Sequence, residues 1–179
     1  MNTIFLEGLT LEPQTAAHAD EMFAVLNDPA IYEYESEPPA SVEWLRARFA
    51  WLELRQSPDG REGWLNWVIR ADDSTLIGYV QATVAHADHS AAIAYVLGSE
   101  HWGHGLARRA TAAMMDELVA HYQVRRFSAV LKRANHRSVR LLERLGFAPP
   151  SPARRAAHPT PADEMLMTLE RLQRIPGSA

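Results

Sequence analysis

The stretch "SEHWGHGLARRATAAMMDEL", Ser99 to Leu118, sets Gly103 and Gly105 two apart, directly ahead of a run with helical apolar spacing. The first turn of a helix carries N–H groups with no intrahelical acceptor and the positive end of the macrodipole, so it attracts anions. Glycines there let the main chain approach a bulky anion and take positive φ. The segment His101, Trp102, Gly103, His104, Gly105, Leu106 and Ala107 can therefore cradle a diphosphate with amides alone. Plain turn chemistry uses the same Gly-x-Gly pair, so spacing by itself leaves both readings open. Neither a Gly-x-x-x-x-Gly-Lys-Ser/Thr loop nor the third glycine and later acid of a dinucleotide fingerprint is present.

Other residue types invite metal chemistry and do not sustain it. His86, Asp88 and His89 form one cluster and His101 and His104 another, but neither has an evident third and fourth ligand on a fixed helical face, so no metal site is expected.

The elements that must hold this turn follow from apolar periodicity. "TIFLEGLTLEP" reads as a first strand and "TAAHADEMFAVLNDP" as a helix that Thr15 can cap, with Ala19, Met22, Phe23 and Leu26 on one face and Pro29 as its stop. "IYEYESEPPAS" is expected as a loop because of Pro38 and Pro39. Ser41 then caps a helix carrying Leu45, Phe49 and Leu52, which the turn "SPDG" ends. "WLNWVIR", "TLIGYVQATVAH" and "AAIAYVLG", joined by short polar segments, predict an antiparallel meander.

After Gly98 the order becomes helix, strand, helix. Leu106, Ala110, Met114 and Leu118 form one stripe, "RRFSAVL" is a strand parallel to the one before the helix, and "NHRSVRLLERLGF" is a second helix. Asn135 is its N-cap, and Gly146 with Phe147 packing back on Leu142 suits a Schellman ending. "EMLMTLE" supplies a last strand. "APPSPARRAAHPTPAD" reads as a mobile loop. The expected fold is α/β in the α+β sense: a mixed, mostly antiparallel sheet of six to seven strands, helices on both faces and one parallel pair, in a single domain over residues 1–179.

Composition narrows the partners. With 179 residues, 47% of them hydrophobic, the chain can build one ordinary core. A net charge of -4 gives no overall reason to expect nucleic acid. The absence of cysteine removes thiol nucleophiles, disulfides and Cys-ligated metal. "MNTIFLEGLTLEP" lacks the basic and apolar regions of a signal peptide and no apolar run reaches membrane-spanning length, so a cytoplasmic protein without membrane contact is expected. Monomer and homodimer both remain open.

"YVLGSEHWGHGLARRA" followed by "FSAVLKRANHRSVRLLERLGF" resembles the GNAT superfamily of acetyl-CoA-dependent N-acetyltransferases, in particular the branch that acetylates ribosomal-protein N-termini. The likeness is strongest from Ile93 to Phe147. It implies acetyl-CoA as co-substrate, its diphosphate on the amides from His101 to Ala107, and its pantetheine arm paired as an added strand with the backbone of Val96 and Leu97. It also implies a cofactor contact for Asn135, which is equally an N-cap. The tyrosine that many members carry four residues before the glycine of the Gly-Phe pair is here Leu142. In the resembled branch the serine of Asn-x-x-Ser is the proposed proton donor, which points to Ser138; its other reading is a residue making local backbone hydrogen bonds.

Acetyl transfer to an amine needs a base for the ammonium proton and donors for the oxyanion, one of which a strand N–H near Val96 or Leu97 can supply. The strand "SAAIAYV" lacks the glutamate of some relatives. Glu33, Glu35, His86, His89 and His158 stay open as bases, as does a water relay. Glu100 reads as structural, and the acids Glu33, Glu35 and Glu37 suit a cationic acceptor, a protein N-terminus or a small amine. The basic tract from Val124 to Arg140 is explained by cofactor phosphates meeting Arg108, Arg109, Lys132 or Arg137. Two alternatives share this fold: a non-catalytic acyl-CoA sensor and a protein-interaction module.

Overall fold

The computed structural model describes residues 1–34 and 37–171. Seven strands form one sheet in chain order: β1 (Ile4–Leu6), β2 (Leu9–Pro13), β3 (Glu62–Ala71), β4 (Leu76–Ala85), β5 (Ser90–Leu97), β6 (Arg126–Lys132) and β7 (Glu164–Glu170). Every neighbouring pair is antiparallel except β5 and β6. The helices are α1 (Ala19–Leu26), α2 (Val42–Leu52), α3 (Leu106–Tyr122), α4 (His136–Arg144) and α5 (Pro152–Ala157).

Alternation along the central strand puts a core on each face of the sheet. Leu65, Trp67 and Ile69 of β3 join Met114, Met115 and Leu118 of α3 and Leu142 of α4 on one side. Val68 meets Met22 and Leu26 of α1 and Leu45 and Phe49 of α2 on the other. Each fully buried Leu or Met of α3 contributes roughly 2 kcal/mol, which fixes the helix and therefore its N-terminal turn.

Two expectations are corrected. The run read as one first strand is a hairpin, β1 and β2, because Gly8 at φ 76° lets the chain reverse between Leu6 and Leu9. The Pro-rich tract read as a mobile loop contains α5: Pro152 starts it at the position where its missing N–H costs nothing, and Ser151 Oγ accepts from the Arg154 N–H at 3.4 Å. The caps read from sequence are present at α2, where Ser41 Oγ accepts from the Trp44 N–H at 3.1 Å. They are also present at the end of α4, where the Phe147 N–H reaches the Leu142 carbonyl at 3.0 Å beyond Gly146 at φ 92°.

What the fold does for function happens between β5 and β6. Their pairing ends at Ala92 and Ser128, yet β5 continues to Leu97 and β6 to Lys132, so residues 93–97 run on without a β6 partner. The opposite side of β5 is held by β4 in unbroken register from Gly78 opposite Leu97 to Ala85 opposite Ser90, while β4 bulges at Ile77 against β3. There a Cβ on Gly78 would lie 2.1 Å from the Val96 carbonyl oxygen, so only glycine allows this approach. No helix among the described residues is long and apolar enough to cross a membrane.

Candidate active site

A cavity of about 460 Å³ opens beside the unpaired end of β5, enclosed by the turn before α3, the first turn of α3 and one face of α4. It collects Val96, Leu97, His101, Trp102, Gly103, Gly105, Leu106 and Ala107, and across from them Asn135 and Ser138. His104 belongs to the same turn but is exposed and does not line the cavity.

The turn is shaped by backbone conformation. Gly103 and Gly105 have φ 83° and 75°, the left-handed region, and a Cβ at either would meet nothing within 4 Å. Glycine is required here by dihedral strain and not by crowding. Gly105 caps α3 without a side-chain hydrogen bond, and no acid stands in the first helical turn. The amides at this end are thus left for something else to satisfy.

Trp102 fastens the turn to the sheet: its Nε1–H donates to the Leu97 carbonyl at 2.9 Å. The Val96 carbonyl lies against Gly78 of β4, and the Leu97 carbonyl is engaged by Trp102. Asp28 fastens the turn from behind, with Oδ2 accepting from the Ser99 N–H at 2.7 Å and Oδ1 from the Ala30 N–H at 3.0 Å. The hydrogen bonds from Ser99 hold the Asp28 carboxyl below its ordinary range. One carboxylate thereby couples the start of the cavity turn to the segment that follows α1.

At the α4 end, Asn135 Oδ1 accepts from the Ser138 N–H at 3.1 Å, a true N-cap, and its Nδ2 has no protein acceptor among the described residues. Ser138 is half-buried, and its carbonyl accepts from the Tyr95 hydroxyl at 3.3 Å. Tyr95 therefore bridges β5 and α4 across the open side of β5, a role its place in an alternating strand does not announce.

Every charged or titratable cation-forming side chain in the lining is an arginine or histidine, and no carboxylate lines the cavity among the described residues. Arg137 lies 4.0 Å over the Trp102 ring and 3.1 Å from the Glu33 carboxylate. That carboxylate, beside Tyr34 on the cavity wall, pushes the phenol above its usual range. Of the cations expected to meet phosphate, Arg108 and Arg137 face the cavity. Lys132 pairs with Asp163 and Glu164 at 2.9 and 2.8 Å, which hold its ammonium above the usual range, and Arg109 donates to the Glu7 carbonyl.

The open base candidates separate by position. Glu33 reaches the cavity rim through Arg137. Glu35 lies outside the described residues, and Glu37 is exposed and does not line the cavity. His86 packs beside Gly63, His89 sits in the β4–β5 turn and His158 ends α5, none of them on the cavity wall. Glu100 is exposed and pairs with His101 at 3.3 Å. No group of three potential metal ligands occurs among the described residues.

Residues 8–148 match the model of the acetyltransferase (GNAT) domain family. The chain is 25% identical over 148 residues to an uncharacterized N-acetyltransferase, p20, of Bacillus licheniformis, covering 82% of this chain and 83% of that protein. Its fold is similar to that of RimL, a ribosomal L7/L12 α-N-protein acetyltransferase solved in complex with coenzyme A (TM-score 0.79, 16% identity, 94% of this chain and 98% of that one). It is also similar to the ribosomal-protein-S5-alanine acetyltransferase of Vibrio fischeri (TM-score 0.77, 19% identity, 95% and 97%).

Proposed function

Because this chain belongs to the acetyltransferase (GNAT) family, we propose that it binds acetyl-CoA in the cavity beside β5 and transfers the acetyl group directly to a primary amine, a protein N-terminus or a small amine. The observation that carries this reading is charge. In a chain of net charge -4, the concave site where the N-termini of α3 and α4 converge is lined by arginines and by no acid among the described residues.

The amides of the turn from His101 to Ala107 take the diphosphate, with His104 contributing main chain only. The pantetheine arm lies along Val96 and Leu97, on the edge that β6 leaves open. Asn135 keeps its capping role and offers Nδ2 to the arm. The acetyl thioester then sits near Ser138, and the amine nitrogen attacks its carbonyl carbon as the C–S bond breaks. The Ser138 hydroxyl gives its proton to the departing sulfur, and the proton lost by the amine nitrogen returns through solvent to Ser138, so that the products are the amide and the free thiol. Glu33, which pairs with the cavity-lining Arg137, suits a cationic acceptor.

Thiol release with acetyl-CoA and a panel of peptides and small amines, followed by mass spectrometry of the acceptor, tests this. Coenzyme A release matched by a 42 Da gain on an amine (the mass of an acetyl group replacing hydrogen, about 42 by atomic arithmetic) supports it. Tight acetyl-CoA binding with no acceptor in the panel supports the sensor reading instead, and no binding at all the interaction module.

A further inference from the structure

Arg137, Arg140 and Arg144 of α4 fall within one sector of about 60° at 100° per residue, and all three line the cavity, whereas Leu142 on the other side of the helix is buried in the core. Arg108, in the first turn of α3, faces the same space. Of these four, Arg137 is the one ion-paired among the described residues. The one acid of α4, Glu143, does not line the cavity. Arg108 in the first turn of α3, with no acid in that turn, opposes the helix dipole and costs stability unless an anion completes it, whereas Arg137 in the first turn of α4 is met by Glu33 and Arg144 stands in the last turn.

A diphosphate held by the amides before α3 does not account for the whole stripe. Arg140 and Arg144 stand about 8 and 14 Å along the α4 axis from Asn135, at 1.5 Å per residue. Both line the cavity beyond the first turn of α4 and are left for a further anion, and coenzyme A carries a second, separate phosphate on its ribose. We propose that Arg108, Arg140 and Arg144 form a phosphomonoester subsite for the ribose 3′-phosphate, which makes this chain select coenzyme A over its 3′-dephospho form. The inference rests on the reading of the cavity as a coenzyme A site. A dianionic phosphate accepts the forked donors of arginine in pairs, and two or three guanidinia around it give an interaction that a ribose hydroxyl cannot replace.

Calorimetry with coenzyme A and with 3′-dephospho-coenzyme A, on the wild type and on the double variant Arg140→Gln/Arg144→Gln, tests it. The wild type is expected to bind coenzyme A about tenfold tighter or more, and the double variant to bind the two within about twofold. The charge-keeping variant Arg140→Lys/Arg144→Lys is expected to retain part of the preference. Both positions are exposed, so circular dichroism should show unchanged folding. Equal wild-type affinities for the two ligands, or a preference that survives the glutamine substitutions, would overturn the subsite and leave the cofactor reading standing. Absence of binding to either ligand would overturn both.

Discussion

The Arg137 guanidinium stacks 4.0 Å above the Trp102 indole while meeting the Glu33 carboxylate at 3.1 Å. Three segments far apart in the chain are joined by one side chain: the segment after α1, the turn ahead of α3 and the first turn of α4. Removing it with Arg137→Ala should raise the KM for acetyl-CoA by about three- to tenfold, while the melting temperature changes little, because exposed ion pairs and stacked cations contribute modestly to stability. Steady-state kinetics beside thermal unfolding checks both halves.

Gly103 and Gly105 hold left-handed backbone over open space. Replacing both by valine should cost roughly 1–2 kcal/mol per site in backbone strain and abolish measurable coenzyme A affinity. Chemical denaturation separates the two effects: a variant that still folds and binds coenzyme A as the wild type does would show that the turn is not a cradle.

Gly78 is different, since its constraint is contact. A methyl group there overlaps the Val96 carbonyl at 2.1 Å and must drive β4 and β5 apart. Gly78→Ala should destabilise by about 1–3 kcal/mol and weaken coenzyme A binding through displacement of β5. Denaturant unfolding and calorimetry on the same sample measure both.

Ser138→Ala tests the proton donor. Loss of general-acid help to the leaving sulfur should lower kcat by about tenfold or more with KM for acetyl-CoA nearly unchanged. An unchanged kcat would reduce Ser138 to its hydrogen-bonding role in the first turn of α4.

Acid stability follows from two carboxyls. Asp28 is held below its ordinary range by Ser99 and Glu12 by Arg70, so each contributes stability that is present above the unfolded carboxyl range and is lost as pH falls through the folded value. Stability should therefore be flat near neutrality and decline below about pH 4, the ordinary carboxylate range. Asp28→Asn should flatten part of that decline, because the pH-dependent share of its anchoring is gone. Thermal melts from neutral to acid pH check it.

Much of this was legible in the residues, and the exceptions have physical causes. The short β-type apolar runs "WLNWVIR" and "AAIAYVLG", joined by polar turns, and the helical spacing after Gly105 announce the meander and the crossover helix, because burial dictates both. The β1–β2 hairpin is hidden by two short strands flanking a single glycine, and α5 by a proline that starts a helix as readily as it breaks one. In the site, the glycine turn and the capping role of Asn135 are visible through spacing, whereas Ser138 is singled out only by the family resemblance. Tyr95 bonding to Ser138 and Asp28 bonding to Ser99 are not visible, since they join segments 43 and 71 residues apart. The arginine stripe on α4 carries a readable signal, three cations at positions three and four apart on one helical face.

The most direct measurement is a crystal structure with acetyl-CoA bound. The diphosphate should lie within hydrogen-bonding distance of the main-chain amides between Gly103 and Arg108, with the thioester beside the unpaired end of β5 and near Ser138. A cofactor held elsewhere, or a turn whose amides touch no phosphate, would contradict the account.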